Sequence, residues 1–160
     1  MSEVAYIGLG SNLEDPKQQV IDAFDALKNI PCSQLVHQSS LYKSPPMGPQ
    51  NQNDFINAVA KISTDLSPIE LLDQLQAIES LQGRVRKSEQ WGPRTLDLDL
   101  LLFGNQVINS ERLTVPHYGM KERAFVLIPM AEISSDILTP DGSNINTLVE
   151  ELTEQGIQRL

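Results

Sequence analysis

The spacing of apolar residues changes period several times along this chain. The run VAYIGLG (4–10) is short, apolar and ended by glycine, which reads as a buried strand. SNLEDP follows, with Asp15 placed as a helix N-cap, Pro16 at the first helical position and Gln18 behind it. Val20, Ala23, Phe24 and Leu27 then share one helical face, and Ile30 and Pro31 close the unit. Residues 34–42 read as a second strand, and the apolar positions Phe55, Ile56, Ala58, Ala60 and Ile62 within 54–64 as a third. Between them KSPPMGPQNQN is expected to be a mobile loop. Ser67, Pro68 and Glu70 form a capping box, Leu71, Leu72, Leu75 and Ile78 supply an apolar helical face, and Gly83 marks its stop. A second irregular stretch, GRVRKSEQWGP, leads into RTLDLDLLLF, whose length and dense apolar character suit the middle of a sheet. Beyond it come the turn PHYGMKER, an apolar segment from Ala124 to Ile133, a turn at Asp141 and Gly142, and a final amphipathic helix near Thr147 to Leu152. The order strand, helix, strand, strand, helix, strand predicts an α+β fold: a ferredoxin-like antiparallel sheet with helices packed on its faces and extra elements after the βαββαβ core.

Composition narrows the class. A length of 160 residues suits one domain spanning 1–160, and 40% hydrophobic with 21% charged residues is the make-up of an ordinary globular protein. No run approaches the roughly 20 apolar residues of a membrane span, and the N-terminus shows no basic flank or signal-peptide core, so a cytoplasmic protein is expected. The single cysteine, Cys32, has no partner for an internal disulfide and no Cys or His at zinc-ligand spacing, so any metal must sit on oxygen. A net charge of -9 argues against an extended nucleic-acid surface. The cations are unevenly spread, however: of 12 Lys and Arg residues, seven fall between Arg84 and Arg123, which suggests a local anionic ligand.

In RTLDLDLL the two aspartates are one residue apart, so on a strand Asp97 and Asp99 point to one face while Leu96, Leu98 and Leu100 point to the other. Two carboxylates at that spacing can grip hard cations, and magnesium takes one or two carboxylates and draws its remaining ligands from water and substrate phosphates. A bare D-x-D is equally the mark of a half-exposed strand with solvated acids. Arg94 just before the pair, with Arg84 and Arg86 on the preceding loop, shifts the balance toward a metal-bound polyphosphate. No G-x-x-x-x-G-K-[ST] loop is present, and Gly8-Leu9-Gly10 lacks the third glycine of a dinucleotide fingerprint, so a nucleotide would have to be held by side chains. Gly10-Ser11-Asn12 is either a backbone anion cradle or a plain strand-to-helix turn. Trp91, the only tryptophan, lies in a polar loop and suits a lid over a planar ligand. Phe55 and Phe125 are core residues by default; Asn57, on the same strand face as Phe55, offers an amide edge to a heterocycle. His117-Tyr118 follows Pro116 in a turn, as a structural or a functional pair.

Taken together, GLGSNL, SPPMGPQNQNDFINAV, GRVRKSEQWGPRTLDLDLLLFG and LTVPHYGMKERAFVLIP closely resemble the 6-hydroxymethyl-7,8-dihydropterin pyrophosphokinases of folate synthesis. The W-G-P-R-x-x-D-x-D core is far more specific than any D-x-D, and the likeness fades beyond about Thr139. The resemblance implies a monomer with two magnesium ions bridged between Asp97, Asp99 and the phosphates of ATP. It places Ser44, Pro45, Met47, Phe55, Asn57, Trp91, Asp97 and Phe125 around the pterin, the ring stacked between Phe55 and Phe125. It places Gln76, Glu79, Arg84, Trp91, Arg94, Arg112, Thr114, His117, Tyr118 and Arg123 on the nucleotide. Arg84 and Arg94 join Asp97 and Asp99 as the catalytic set. ATP and the reduced pterin are the implied partners, with no nucleic acid and no membrane. Three positions depart from the pattern: Phe55 where relatives often carry Tyr, Ser44 where Thr is frequent, and Gln90 where a charged residue usually precedes the tryptophan. The alternatives are a non-catalytic ferredoxin-like binding module and an ordinary kinase passing only the γ-phosphate.

Overall fold

In the computed structural model, which describes residues 2–12, 15–45, 54–83, 96–134, 136–152 and 155–160, the first apolar run is strand β1 (Glu3–Ser11). The chain continues through α1 (Pro16–Lys28), β2 (Ser33–Gln38), β3 (Tyr42–Ser44), β4 (Phe55–Thr64), α2 (Pro68–Gly83) and β5 (Asp97–Phe103). After these come β6 (Ile108–Asn109), β7 (Thr114–Val115), a 3-10 turn (Met120–Glu122), α3 (Ala124–Ser134), α4 (Ile145–Glu150) and β8 (Gln158–Arg159). The main sheet runs β5-β1-β4-β3-β8, with β2 also paired to β4, and every pairing is antiparallel. With β2 and β3 counted as one broken strand, this is the strand order of the split βαββαβ unit. β6 and β7 form a small second sheet.

Alternation along the strands divides the interior in two. Ala5, Ile7 and Leu9 of β1 and Ile56, Ala58, Ala60 and Ile62 of β4 face α1 and α2, whose buried positions include Val20, Phe24, Leu27, Leu71 and Leu75. Tyr6 and Val59 point the other way and pack with Val126, Leu127 and Met130 of α3 and Ile145 of α4. The capping box at α2 is formed: Ser67 N–H donates to Glu70 Oε1 at 2.9 Å and Glu70 N–H to Ser67 Oγ at 3.2 Å.

Four expectations are corrected. Among the described residues β5 is an edge strand, not a central one. Its apolar density comes from both faces being covered, because a bulge between its pairings with Tyr6 and Ile7 sends Leu98, Leu100 and Phe103 into the first core and Leu101 and Leu102 into the second. Asp15 does not cap α1 with its side chain: it sits in the left-handed region (φ 60°), and its main-chain carbonyl accepts the Gln19 N–H instead. The expected strand over 34–42 breaks after Gln38, where Ser39 Oγ accepts the Val59 N–H at 2.9 Å and shifts the register before β3. The last helix begins earlier than expected, with Asn144 Oδ1 accepting the Thr147 N–H at 3.2 Å as its N-cap.

Candidate active site

The site lies on the α3 side of the sheet, toward one end of β1. Along β1 the residues facing that side are Tyr6, Gly8 and Gly10, so a large ring gives way to two positions without side chains. Register sets their neighbours. Gly10 pairs with Asn57 on β4 and with Asp97 on β5, and Gly8 pairs with Val59 and with Asp99. The result is a trough floored by glycine, with the amide of Asn57 on one flank and the two aspartates on the other. A Cβ at Gly10 would stand 3.3 Å from Asn57 Oδ1 and 3.9 Å from Phe55 Cδ1.

The trough opens into a cavity of about 210 Å³ whose walls include Ser44 and Pro45 from the β3 end, Phe55 from β4, and Arg123 and Phe125 from the start of α3. Asn57 and Ser44 are both buried, and Asn57 Nδ2 donates to Ser44 Oγ at 2.7 Å. With its donor side engaged, the amide presents Oδ1 toward the Gly10 trough as a fixed acceptor. Phe55 and Phe125 reach the cavity from different layers, one from the sheet and one from the helix above it. Arg123 holds its guanidinium carbon 5.6 Å from the ring centres of both Phe125 and Tyr118.

Edge position explains how the aspartates are held. A strand with no neighbour on one side leaves main-chain groups to be satisfied by other means. Glu79 of α2 accepts the Leu98 N–H at 2.8 Å, fixing the residue between the two acids, and the His117 N–H donates to the Leu101 carbonyl at 3.0 Å. His117 Nδ1 accepts the Gly119 N–H at 3.2 Å, which leaves Nε2 facing Asp99 Oδ2 at 3.9 Å. Burial lowers the imidazole pKa below its ordinary value; the Asp99 charge opposes this and the Arg123 charge adds to it. Tyr118 stacks on His117 at 4.7 Å between ring centres and is otherwise exposed.

The structure thus brings Ser44, Pro45, Phe55, Asn57, Asp97 and Phe125 to one cavity, with Asp99 and Arg123 beside them. The described nucleotide candidates fall into two groups. His117, Tyr118 and Arg123 form one. Gln76, Glu79 and Arg112 form the other, where Arg112 Nη2 donates to Gln76 Oε1 at 2.9 Å and to Asp73 Oδ1 at 2.6 Å. Thr114 is exposed on β7. Met47, Arg84, Trp91 and Arg94 lie outside the described residues, as does the expected lid. Gly10 and Ser11 belong to β1 and Asn12 is buried beside its end, so this segment carries the strand toward the helix. Sequence reasoning missed Gly8 and Gly10 as the floor of the cavity. The available signal was their period of two with Tyr6, which puts both glycines on one strand face.

Fold and site define an α+β protein whose antiparallel sheet carries a ligand cleft beside a pair of edge-strand carboxylates. Comparison with known proteins gives the particular family. The family model described as 7,8-dihydro-6-hydroxymethylpterin-pyrophosphokinase matches residues 6–135. The 2-amino-4-hydroxy-6-hydroxymethyldihydropteridine pyrophosphokinase of Haemophilus influenzae is 52% identical over 156 residues, 98% of this chain and 97% of its own length. The enzyme of the same name from Pseudomonas aeruginosa is 50% identical over 160 residues, 100% of this chain and 98% of its own. Among solved structures, Plasmodium falciparum HPPK-DHPS with pterin and p-hydroxybenzoate superposes with a TM-score of 0.77 at 13% identity, covering 99% of this chain and 46% of that one, so the chain spans about half of that longer protein. The chain belongs to the hydroxymethyldihydropterin pyrophosphokinase family.

Proposed function

We propose that this chain transfers the pyrophosphoryl group of ATP to the hydroxymethyl group of 6-hydroxymethyl-7,8-dihydropterin at the cavity over Gly8 and Gly10, using Asp97 and Asp99 as the metal-binding pair. The reaction itself comes with the family: the chain is an ATP-dependent diphosphotransferase of folate biosynthesis. What the cavity adds is an assignment of parts. The observation that carries it is the row Asn57, Gly10, Asp97 across three paired strands, which sets a buried amide acceptor and a carboxylate on either side of an open glycine.

A pterin is planar, apolar on its faces and rich in hydrogen-bonding groups at its edge. Phe55 and Phe125 take the faces, Asn57 Oδ1 accepts from the edge, and Ser44 keeps that amide from rotating. Pro45 lines the same pocket, and the family resemblance adds Met47 and Trp91 as pterin contacts.

The donor set fits magnesium. Asp97 and Asp99 are partly exposed oxygen ligands, and among the described residues no cluster of three His, Cys, Asp or Glu side chains competes as a self-contained cage. Asp97 and Asp99 would hold magnesium, two ions by the family resemblance, which would supply charge neutralisation on the phosphates of ATP. His117, Tyr118, Arg123, Arg112, Gln76, Glu79 and Thr114 orient the nucleotide. The hydroxymethyl oxygen attacks the β-phosphorus in line and loses its proton to solvent, the bond from that phosphorus to the α-phosphate oxygen breaks, and AMP departs with the electron pair. Arg84 and Arg94 stabilise the charge that moves onto the α-phosphate. Positioning dominates over any strong base.

The reading takes residues 1–160 as a single domain working as a cytoplasmic monomer, without nucleic-acid or membrane partners; the net charge of -9 supports the first of these absences. Chromatography of nucleotides after incubation with ATP, magnesium and the reduced hydroxymethylpterin is the test. AMP is the expected product. ADP instead would mark a γ-phosphate kinase, and unchanged ATP a binding module.

A further inference from the structure

Residues 155–160 lie beyond the stretch matched by the family model, and none of the roles assigned above falls on them. They nevertheless touch both walls of the cavity. Gln155 sits beside the junction between the 3-10 turn and α3, where Arg123 is extended (φ -109°, ψ 111°). Such a junction leaves the N–H that opens the next helix and the carbonyl that ends the previous turn without helical partners. The Gln155 amide takes both: its Oε1 accepts the Ala124 N–H at 2.9 Å, and its Nε2 donates to the Glu122 carbonyl at 2.9 Å. Arg123 is bracketed between these bonds, and its side chain lies directly on the bare backbone of Gly119, where a Cβ would come within 2.7 Å of its Nε.

From Gln155 the chain crosses to the opposite wall. Gly156 adopts the left-handed region (φ 75°), and a Cβ there would stand 3.3 Å from Pro45 Cγ, so the main chain packs against the proline ring. Arg159 and Gln158 pair with Tyr42 and Lys43 of β3, the Leu160 N–H donates to the Leu41 carbonyl at 2.9 Å, and Arg159 Nη2 stands 3.6 Å from Glu132 Oε2. The wall bearing Ser44 and Pro45 is thereby strapped to the wall bearing Arg123 and Phe125.

We infer that Gln155 is a positioning residue for pyrophosphoryl transfer: through the two backbone groups that flank Arg123 it sets the spacing of the aromatic cleft for the pterin. The inference rests on the assignment of the cavity to the pterin. Its physical basis is the short range of ring contact, since a gap of roughly 0.5–1 Å already forfeits a quarter to a half of the attraction. An isosteric Gln155→Met change fills the same space without either hydrogen bond.

The test is the Kd of 6-hydroxymethyl-7,8-dihydropterin, measured calorimetrically with α,β-methylene-ATP and magnesium at saturation, well below the melting temperature. Gln155→Met is expected to weaken it about tenfold, which is ~1.4 kcal/mol. Gln155→Glu keeps the acceptor for Ala124 but sets a carboxylate oxygen against the Glu122 carbonyl, so it is expected to weaken binding at least as much as the methionine change, and it carries the comparison if the methionine variant does not fold. A Kd within twofold of wild type in the folded variants overturns the inference. So does an equal weakening in Leu75→Ala, a core variant on the far face of the sheet that loses stability without touching the strap. Asn57→Ala separates this inference from the cavity assignment: unchanged pterin binding there sinks the assignment, whereas weakened binding there with normal binding in Gln155→Met sinks only the strap.

Discussion

Gly10 offers a way to separate fold from function, because its missing side chain is what leaves room for the ligand. It lies in ordinary strand backbone between Asn57 and Asp97, so a β-branched residue is conformationally acceptable there and by strand preference alone gains up to ~1 kcal/mol. Gly10→Val places its Cβ 3.3 Å from Asn57 Oδ1 and 3.9 Å from Phe55 Cδ1, and its two methyl groups extend into the trough. Crowding of this kind costs roughly 1–3 kcal/mol, so net stability should fall by only about 0–3 kcal/mol. The ligand suffers more. Displacing the pterin from one ring face and from the Asn57 acceptor removes a stacking contact worth about 0.5–1.5 kcal/mol and a hydrogen bond whose loss costs ~1–3 kcal/mol. A combined loss of about 1.5–4.5 kcal/mol raises the pterin KM by a factor of roughly 10 to 2,000. Steady-state AMP formation with each substrate varied in turn reads the effect, alongside urea denaturation for stability. Gly8→Ala, on the same floor, adds a Cβ that meets only the flexible Leu101 side chain at 3.4 Å, so a smaller rise in pterin KM than in Gly10→Val is expected. A folded Gly10→Val enzyme with a pterin KM within threefold of wild type would refute the trough as the pterin site.

Other outcomes follow from the same geometry. Asp97→Ala and Asp99→Ala should each abolish AMP formation while leaving the far-UV circular dichroism unchanged; near-full activity in Asp97→Ala removes the metal assignment. Stripping divalent ions with EDTA should stop turnover and added magnesium should restore it, with no shift in the thermal melt of the ligand-free protein comparable to losing a structural ion. Glu132 accepts from Ser40 N–H at 2.9 Å, Ser40 Oγ at 2.8 Å and Tyr42 Oη at 2.8 Å, so Glu132→Ala orphans these donors and should cost about 2–4 kcal/mol in urea denaturation. Burial alone would raise the Glu132 carboxyl pKa, but the bonds from Tyr42 and Ser40 and the Arg159 charge outweigh it and hold the pKa low. Its stabilisation is therefore present above the ordinary carboxylate value of about 4.3 and lost as pH falls through the depressed folded value, a loss that Glu132→Gln should not show. Burial and then Glu132 push the Tyr42 phenol up to about 12, so further stability should disappear as pH rises from its ordinary value of about 10 through that point.

The elements that were legible in the chain are those governed by local rules. The period of α1, the Ser67–Glu70 capping box and the shared face of Asp97 and Asp99 depend on residues within a few positions of one another, and the sequence carries that information directly. Local rules misplaced β5, because apolar density reports coverage of both faces and not hydrogen-bonded neighbours. They also misread Gly8 and Gly10, weighed only as parts of phosphate motifs. Pairing across strands made them a floor, by setting Gly10 between Asn57 and Asp97, residues 47 and 87 positions away along the chain.

By itself, then, the sequence determined the element types, the carboxylate pair and, through its long motifs, the family. Only the tertiary structure decided which residues meet: the Asn57–Ser44 bond, the hold of Glu79 and His117 on β5, and the reach of Gln155 to either side of Arg123. Side-chain alternation and helix caps follow from the geometry of neighbouring peptides, whereas strand register and wall spacing follow from packing between segments far apart in the chain, which no local pattern encodes.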